Sequence, residues 1–421
     1  MSRIPLAGRF VAETPADQNC FIGFHDIIPW SPDGSCVAIH RAAPEFFSLE
    51  DCRQLIEICL WDPASREIRA VDSTSGWNFQ QGSRLQWLPG ARDTLIFNTV
   101  ADGRAVAVTT KISTGERSVL PAAIYALSPD GKTSIAPNFT TLAHRWKAYG
   151  YPALDHSPPS TNQAKDGLWQ MDLASGKESL FISTSRAAEF NAIPNIDPAS
   201  HFLSHASFSP DGSRVVFLHR FFSADGALFT RMLVTDREAR TLVLLAQEKV
   251  SHFDWLDSDT LLVWARFSGG GLAKARARGL FASPLIKPLL RLAQKITGRW
   301  KRQLLSESYY RISIKDPQSR SRFGWPALDF DGHPMIARSH AWLVTDFYPD
   351  KSDRLPLILY NADRNERRDV QVFAHRPRTT DTDVKCDLHP RWSRDERMVA
   401  VDTCESGLRQ VKIFDVSDVV R

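Results

Sequence analysis

One four-residue turn recurs along this chain and constrains its fold more than any other feature. Ser31-Pro32-Asp33-Gly34, Ser128-Pro129-Asp130-Gly131 and Ser209-Pro210-Asp211-Gly212 are copies of it, each followed by an apolar run. Proline presets φ at the second position, and Asp-Gly tolerates the backbone that reverses the chain. Degenerate copies keep the frame at Leu88-Pro89-Gly90, Leu256-Asp257-Ser258-Asp259, Ala337-Arg338-Ser339 and Ser393-Arg394-Asp395, which makes seven. Most repeats also carry an alternating strand that ends at an Asp turn, as at Trp61-Asp62, Thr235-Asp236 and Phe414-Asp415. Such alternation between turns reads as three or four short antiparallel strands per repeat. A sheet of that size cannot bury both faces alone, and radial stacking solves the problem. The pattern predicts an all-β chain, a single seven-bladed β-propeller over residues 1–421.

The seventh repeat stops after its third strand, so the segment 8–13 is expected to supply the fourth and close the ring. Two 81-residue gaps between turns place insertions at about 139–166 and 268–306. The second insertion reads as helical. Over 279–305 its apolar residues, among them Leu285, Leu289 and Leu292, interleave with Lys287, Arg291, Lys295, Arg299, Lys301 and Arg302. A cationic amphipathic helix of this kind suits either an anionic membrane surface or a cap on the propeller.

The stretch from Ser268 to Leu305 holds nine Lys/Arg and no Asp/Glu, in a chain of net charge +4. The remainder is therefore slightly acidic, which argues against a nucleic-acid-binding domain. No apolar run approaches the length of a membrane span, and the first twenty residues carry no signal-peptide core. The six cysteines are scattered without CxxC spacing, which fits a reducing compartment. A cytoplasmic protein is expected, with peripheral contact at the inner face of the membrane if the basic helix makes it.

Four residues before each turn lies the innermost strand, near the mouth of the central channel. Reading that position through the seven repeats gives Ile27, Arg84, Ile124, His205, His252, His333 and His389. Four are histidine, in a chain with 12 histidines among 421 residues, where chance would place fewer than one. His25 lies two residues before Ile27, on the same strand face. Imidazoles converging from different blades make a natural transition-metal site, with a carboxylate completing the shell. His333 and His389 are the leading ligands, with Asp387 as a third two residues before His389. Asp331 bears the same relation to His333. His205 and His252 are left for coordination or proton transfer. Arg84 suits bidentate pairing with a carboxylate. Gln81, His25, Arg220 and Tyr151 are expected to contact substrate, with Tyr149 an alternative to Tyr151 in the same insertion.

The stretches from His205 to Gly212, Asp331 to Trp342 and Asp387 to Glu396 resemble the histidine-bearing blade starts of the oligogalacturonate lyase family, within the TolB-like propellers. The resemblance implies that His333 and His389 hold a manganese ion and that His205 is the base. It also implies β-elimination on a uronate-containing oligosaccharide, an acidic glycan. In the family's final-blade motif a glutamine and a further histidine precede the His-Pro pair, where this chain has Val384 and Asp387. A glycoside hydrolase would need two carboxylates across the channel, and the column offers no such pair. The reading from another class is a non-catalytic propeller that binds glycans or proteins through its faces.

Overall fold

A computed structural model describes residues 7–154, 158–194, 196–223, 226–267, 302 and 305–421. Among them the strands form seven four-stranded antiparallel sheets. Blades one to six span 19–74, 86–120, 126–183, 202–246, 250–322 and 335–374. Blade seven takes its three inner strands from 391–415, and its outermost strand is Arg9–Glu13, paired with Gln410–Asp415. The ring closes through the predicted N-terminal strand.

The repeated turn does what its residues dictate. In blade one Asp33 accepts from Ser31 Oγ (2.5 Å), Ser35 N and Ser35 Oγ, while Gly34 sits at φ +76°. These bonds, led by that from Ser31, hold the Asp33 carboxyl down to about 2. In the copy that begins at Ser393 the left-handed position falls to Glu396, at φ +55°. In three blades the residue before the turn ties the blade to the previous one. Trp87, Trp255 and Trp392 donate their indole N–H to Pro29 O, Ser207 Oγ and Met335 O, each two residues before the neighbouring turn. The second and third strands of a blade, such as Arg214–Phe222 and Leu228–Asp236 paired over nine residues, are buried on both faces. They therefore read as near-continuous apolar runs rather than alternating ones.

Both insertions leave between the second and third strands of their blades, at one end of the propeller. The first holds a short helix, Phe139–Arg145, capped by Asn138 Oδ1 on the amides of Thr140 and Thr141. Asp166 anchors its base through Asn138 Nδ2 and Thr141 Oγ1. The predicted basic helix at 279–305 lies outside the described residues, apart from Arg302 and Leu305. Among the described residues no helix is long and apolar enough to cross a membrane.

Candidate metal centre and pocket

The histidine column converges as its spacing predicts. Ring centroids of His333 and His389 are 4.3 Å apart, and those of His252 and His333 are 4.2 Å apart. His25 completes the group at 5.4 Å from His333 and 6.1 Å from His389. One ligand atom from each of His333, Asp387 and His389 lies within 4.8 Å of the others.

Bent backbone delivers these side chains. Arg84, His205 and His389 have φ of 57°, 54° and 42°, a region that residues with a side chain seldom occupy. His205 and His252 both lie where the pairing register of the innermost strand shifts. Such bulges re-aim side chains beside functional sites.

Each candidate histidine ligand is oriented by an outer partner. Asp346 Oδ1 accepts from His333 Nδ1 (2.8 Å) and from its backbone N (2.8 Å), and Asp346 Oδ2 accepts from His389 N (3.2 Å). His333 Nδ1 is thereby committed and Nε2 is left as its ligand atom. His389 donates Nδ1–H to Gly23 O (2.8 Å), and its buried Nε2 has no hydrogen-bond partner. Gly23 is held by Asp402, whose carboxylate accepts from the amides of Ile22 and Gly23 and pairs with Arg391 at 3.3 Å. Burial pulls the His333 imidazole down, but Asp346 outweighs it and its pKa is raised. Burial and the neighbouring cationic forms keep His25 and His389 well below the ordinary histidine value, hence neutral and able to ligate. Two imidazoles and one carboxylate, with an orphaned ring nitrogen between them, fit a divalent transition metal.

Beside this group opens a cavity of about 210 Å³, lined by His25, His205, His252, Arg220, Tyr149, Tyr348 and Lys385 among others. His252 Nδ1 is held by Asp331 Oδ1 at 2.9 Å, so Asp331 serves His252 and is not one of the three grouped donors. His205 stands apart, packed against Tyr149 (5.0 Å), Phe24 (5.4 Å) and Trp146 (5.7 Å), and burial holds its pKa well below the ordinary value. Arg220 lies over the Trp146 ring at 3.7 Å and is 5% exposed. It forms no ion pair with a described carboxylate, and burial lowers its pKa to about 9.

Three predicted contacts lie elsewhere. Arg84 is 2% exposed and already clamped, donating to both oxygens of Asp26 at 2.8 and 2.9 Å and to Tyr125 O. Its fork is filled by the protein, so it does not present a free guanidinium to the pocket. Gln81 donates to Tyr125 OH behind the wall, and its neighbour Gln80 lines the cavity instead. Tyr151 is fully buried, stacked on Phe139 at 4.3 Å with its hydroxyl accepting from Asn98, so it packs the insertion. Two residues earlier, Tyr149 reaches the cavity. Asp346 escaped the sequence reading because it directly follows the second strand of blade six, Trp342–Thr345, away from the column.

No family model and no curated protein matches the sequence. Two solved structures share the architecture from end to end. An oligogalacturonate lyase in complex with manganese aligns at TM-score 0.63 and 15% identity, over 98% of this chain and 96% of its own. The oligogalacturonate lyase of Vibrio parahaemolyticus aligns at TM-score 0.61 and 13% identity, over 99% of each chain. Over its whole length, this chain has the seven-bladed fold of the oligogalacturonate lyases.

Proposed function

We propose that this protein is a metal-assisted lyase that cleaves a uronate-containing oligosaccharide by β-elimination. The observation that carries the reading is the buried Nε2 of His389, without a hydrogen-bond partner among the described residues, which with His333 and Asp387 forms a donor set beside a pocket whose Arg220 pairs with no described carboxylate. His333, Asp387 and His389 would hold the divalent metal, manganese in the first instance, which when bound supplies Lewis-acid polarisation of a carboxylate. Arg220 binds the uronate carboxylate, the role expected of Arg84 from its place in the column. Its charge, which no carboxylate among the described residues pairs, makes the adjacent C5 proton more acidic. The neutral imidazole of His205, on the same wall as Arg220, takes that proton. The C5–H electron pair forms the C4–C5 double bond, and the glycosidic oxygen leaves C4 with its bonding pair and takes up a proton from solvent water. His252, fixed by Asp331, is the second imidazole within reach of the cavity. Tyr149 and Tyr348 supply faces and hydroxyls for the sugar.

The test is incubation of the manganese-loaded protein with a panel of oligouronates, following the ultraviolet absorbance of the unsaturated product. Product that vanishes in His205→Ala and Arg220→Gln supports the reading. Uronate binding without product would make this a binding propeller, and neither binding nor product would overturn both.

A further inference from the structure

The candidate metal ligand Asp387 already has a cation. Lys385 Nζ stands 2.9 Å from Asp387 Oδ2, and the two residues are spaced to share one face of an extended segment. Asp387 is 4% exposed, and a carboxylate so buried requires a counter-charge. The lysine is not buried with it. Its side chain is 33% exposed, its ammonium lies 4.1 Å from the Tyr348 ring centroid, and it lines the cavity, which Asp387 does not. The backbone beneath it is clamped, because Lys385 O accepts from Gln80 Nε2 and Arg409 Nη2, both at 2.8 Å. Only the four-carbon stem is left to move. Lys385 therefore spans the boundary between the metal donors and the pocket.

We propose that Lys385 is a built-in competitor for the metal, whose ammonium is displaced from Asp387 into the pocket when a divalent ion binds. This inference rests on the metal reading above. A divalent ion and an ammonium sharing one secluded carboxylate repel each other strongly. Lysine is a compact charge on a flexible stem, so it can withdraw where a forked arginine would resist. Once displaced, the ammonium adds a positive charge to a cavity that already holds Arg220. An acidic ligand stabilises the displaced position. By linkage, such a ligand strengthens metal binding by the factor with which metal strengthens ligand binding. Lys385 thus couples the two occupants of the site without being a ligand to either at rest.

The experiment is a calorimetric titration of Mn2+ into the full chain as wild type, Lys385→Met and Lys385→Arg, each with and without D-galacturonate. The expected result is that Lys385→Met binds Mn2+ about tenfold more tightly than wild type without uronate. Galacturonate should tighten Mn2+ binding by a larger factor in wild type than in Lys385→Met, where only the direct attraction between metal and carboxylate is left. Lys385→Arg, whose fork resists displacement, should bind Mn2+ no more tightly than wild type. A merely structural lysine would give the opposite sign, since damage loosens a metal site; Lys385→Gln is a second neutral variant should the Met protein not fold. Equal or weaker Mn2+ binding by a folded neutral variant overturns the proposal and leaves the metal reading standing. No Mn2+ binding by any of the proteins overturns the metal reading, and this inference with it.

Discussion

Asp346 and His333 face each other at 2.8 Å, carboxylate Oδ1 to imidazole Nδ1, and both are almost fully buried. The same carboxylate also accepts from the backbone amide of His389, so one side chain of blade six positions ligands on two blades. Outer partners of this kind set the tautomer and direction of a ligating histidine. Asp346→Asn should lower divalent-metal affinity about 10- to 100-fold by this mechanism. Calorimetric titration of the folded variant checks it. Unchanged affinity would show that His333 is oriented by something else.

Arg84 and Arg220 are predicted to separate cleanly. Arg84→Met strands Asp26 beside the channel. Removing one partner of such a pair should cost about 2–4 kcal/mol, below the fully buried case because Asp26 is 27% exposed. Uronate affinity of the folded fraction should be retained. Arg220→Gln should do the reverse, abolishing measurable uronate binding with little loss of stability, because it leaves no partner behind among the described carboxylates. Urea denaturation and uronate titration of both variants decide between these assignments.

Stability should fall on the acid side of neutrality. Burial holds His40 at about 4, against an ordinary value of 6.5, and its Nε2 accepts from the amide of Ser83. The unfolded chain therefore takes up this proton first as pH falls through 6.5, and stability is lost until about pH 4. From this one residue the loss at pH 5 is about 2 kcal/mol. His201, also held at about 4 chiefly by burial, acts in the same direction. Urea midpoints should be flat between pH 7 and 8 and drop by pH 5, with the drop smaller by about 2 kcal/mol in His40→Asn.

Gly82→Ala should be severely destabilising. Gly82 has φ +59°, and a Cβ there would lie 2.3 Å from His40 Cε1, inside the ring that holds Ser83. Backbone strain and overpacking together should cost about 3 kcal/mol or more. Gly34→Ala, at φ +76° but with open space around it, should cost less. Comparing the two urea midpoints isolates the contact with His40.

The architecture was legible in the sequence because its determinants are local. Proline, Asp and Gly impose the turn wherever they occur, and a fixed offset from that turn finds His205, His252, His333 and His389. The closing strand followed from counting strands in the seventh repeat. What escaped lies on neighbouring elements. His40, Asn98 and Asp402 are polar residues late in largely apolar second strands, and Asp346 directly follows one. Each accepts from a backbone amide on the inner strand region of the next blade, at Ser83, Ile124, His389 and Ile22 respectively. That recurring interruption was visible as pattern, but nothing local says which backbone it serves. Arg84 was misjudged for a related reason. Its place in the column says where the guanidinium begins, and only the fold brings Asp26 to meet it. Tyr149 and Tyr151 differ by two residues in an irregular segment, where no period tells core from cavity.

The closure at Arg9–Glu13 gives the site an order of assembly. His25 and the Gly23 carbonyl that orients His389 come from blade one, while the donors His333, Asp387 and His389 come from blade six and the approach to blade seven, so the donors and their surroundings meet across the seam of the ring. On the ribosome, blade one emerges long before its partners across the seam. Through most of synthesis the half-site around His25 has nothing to face, and no donor set exists to capture an ion. What crosses the seam is the hydrogen bond from His389 Nδ1 to Gly23 O, so the orientation of that imidazole is completed only when the two ends of the ring meet, and the proposed centre is the last part of the fold to be finished.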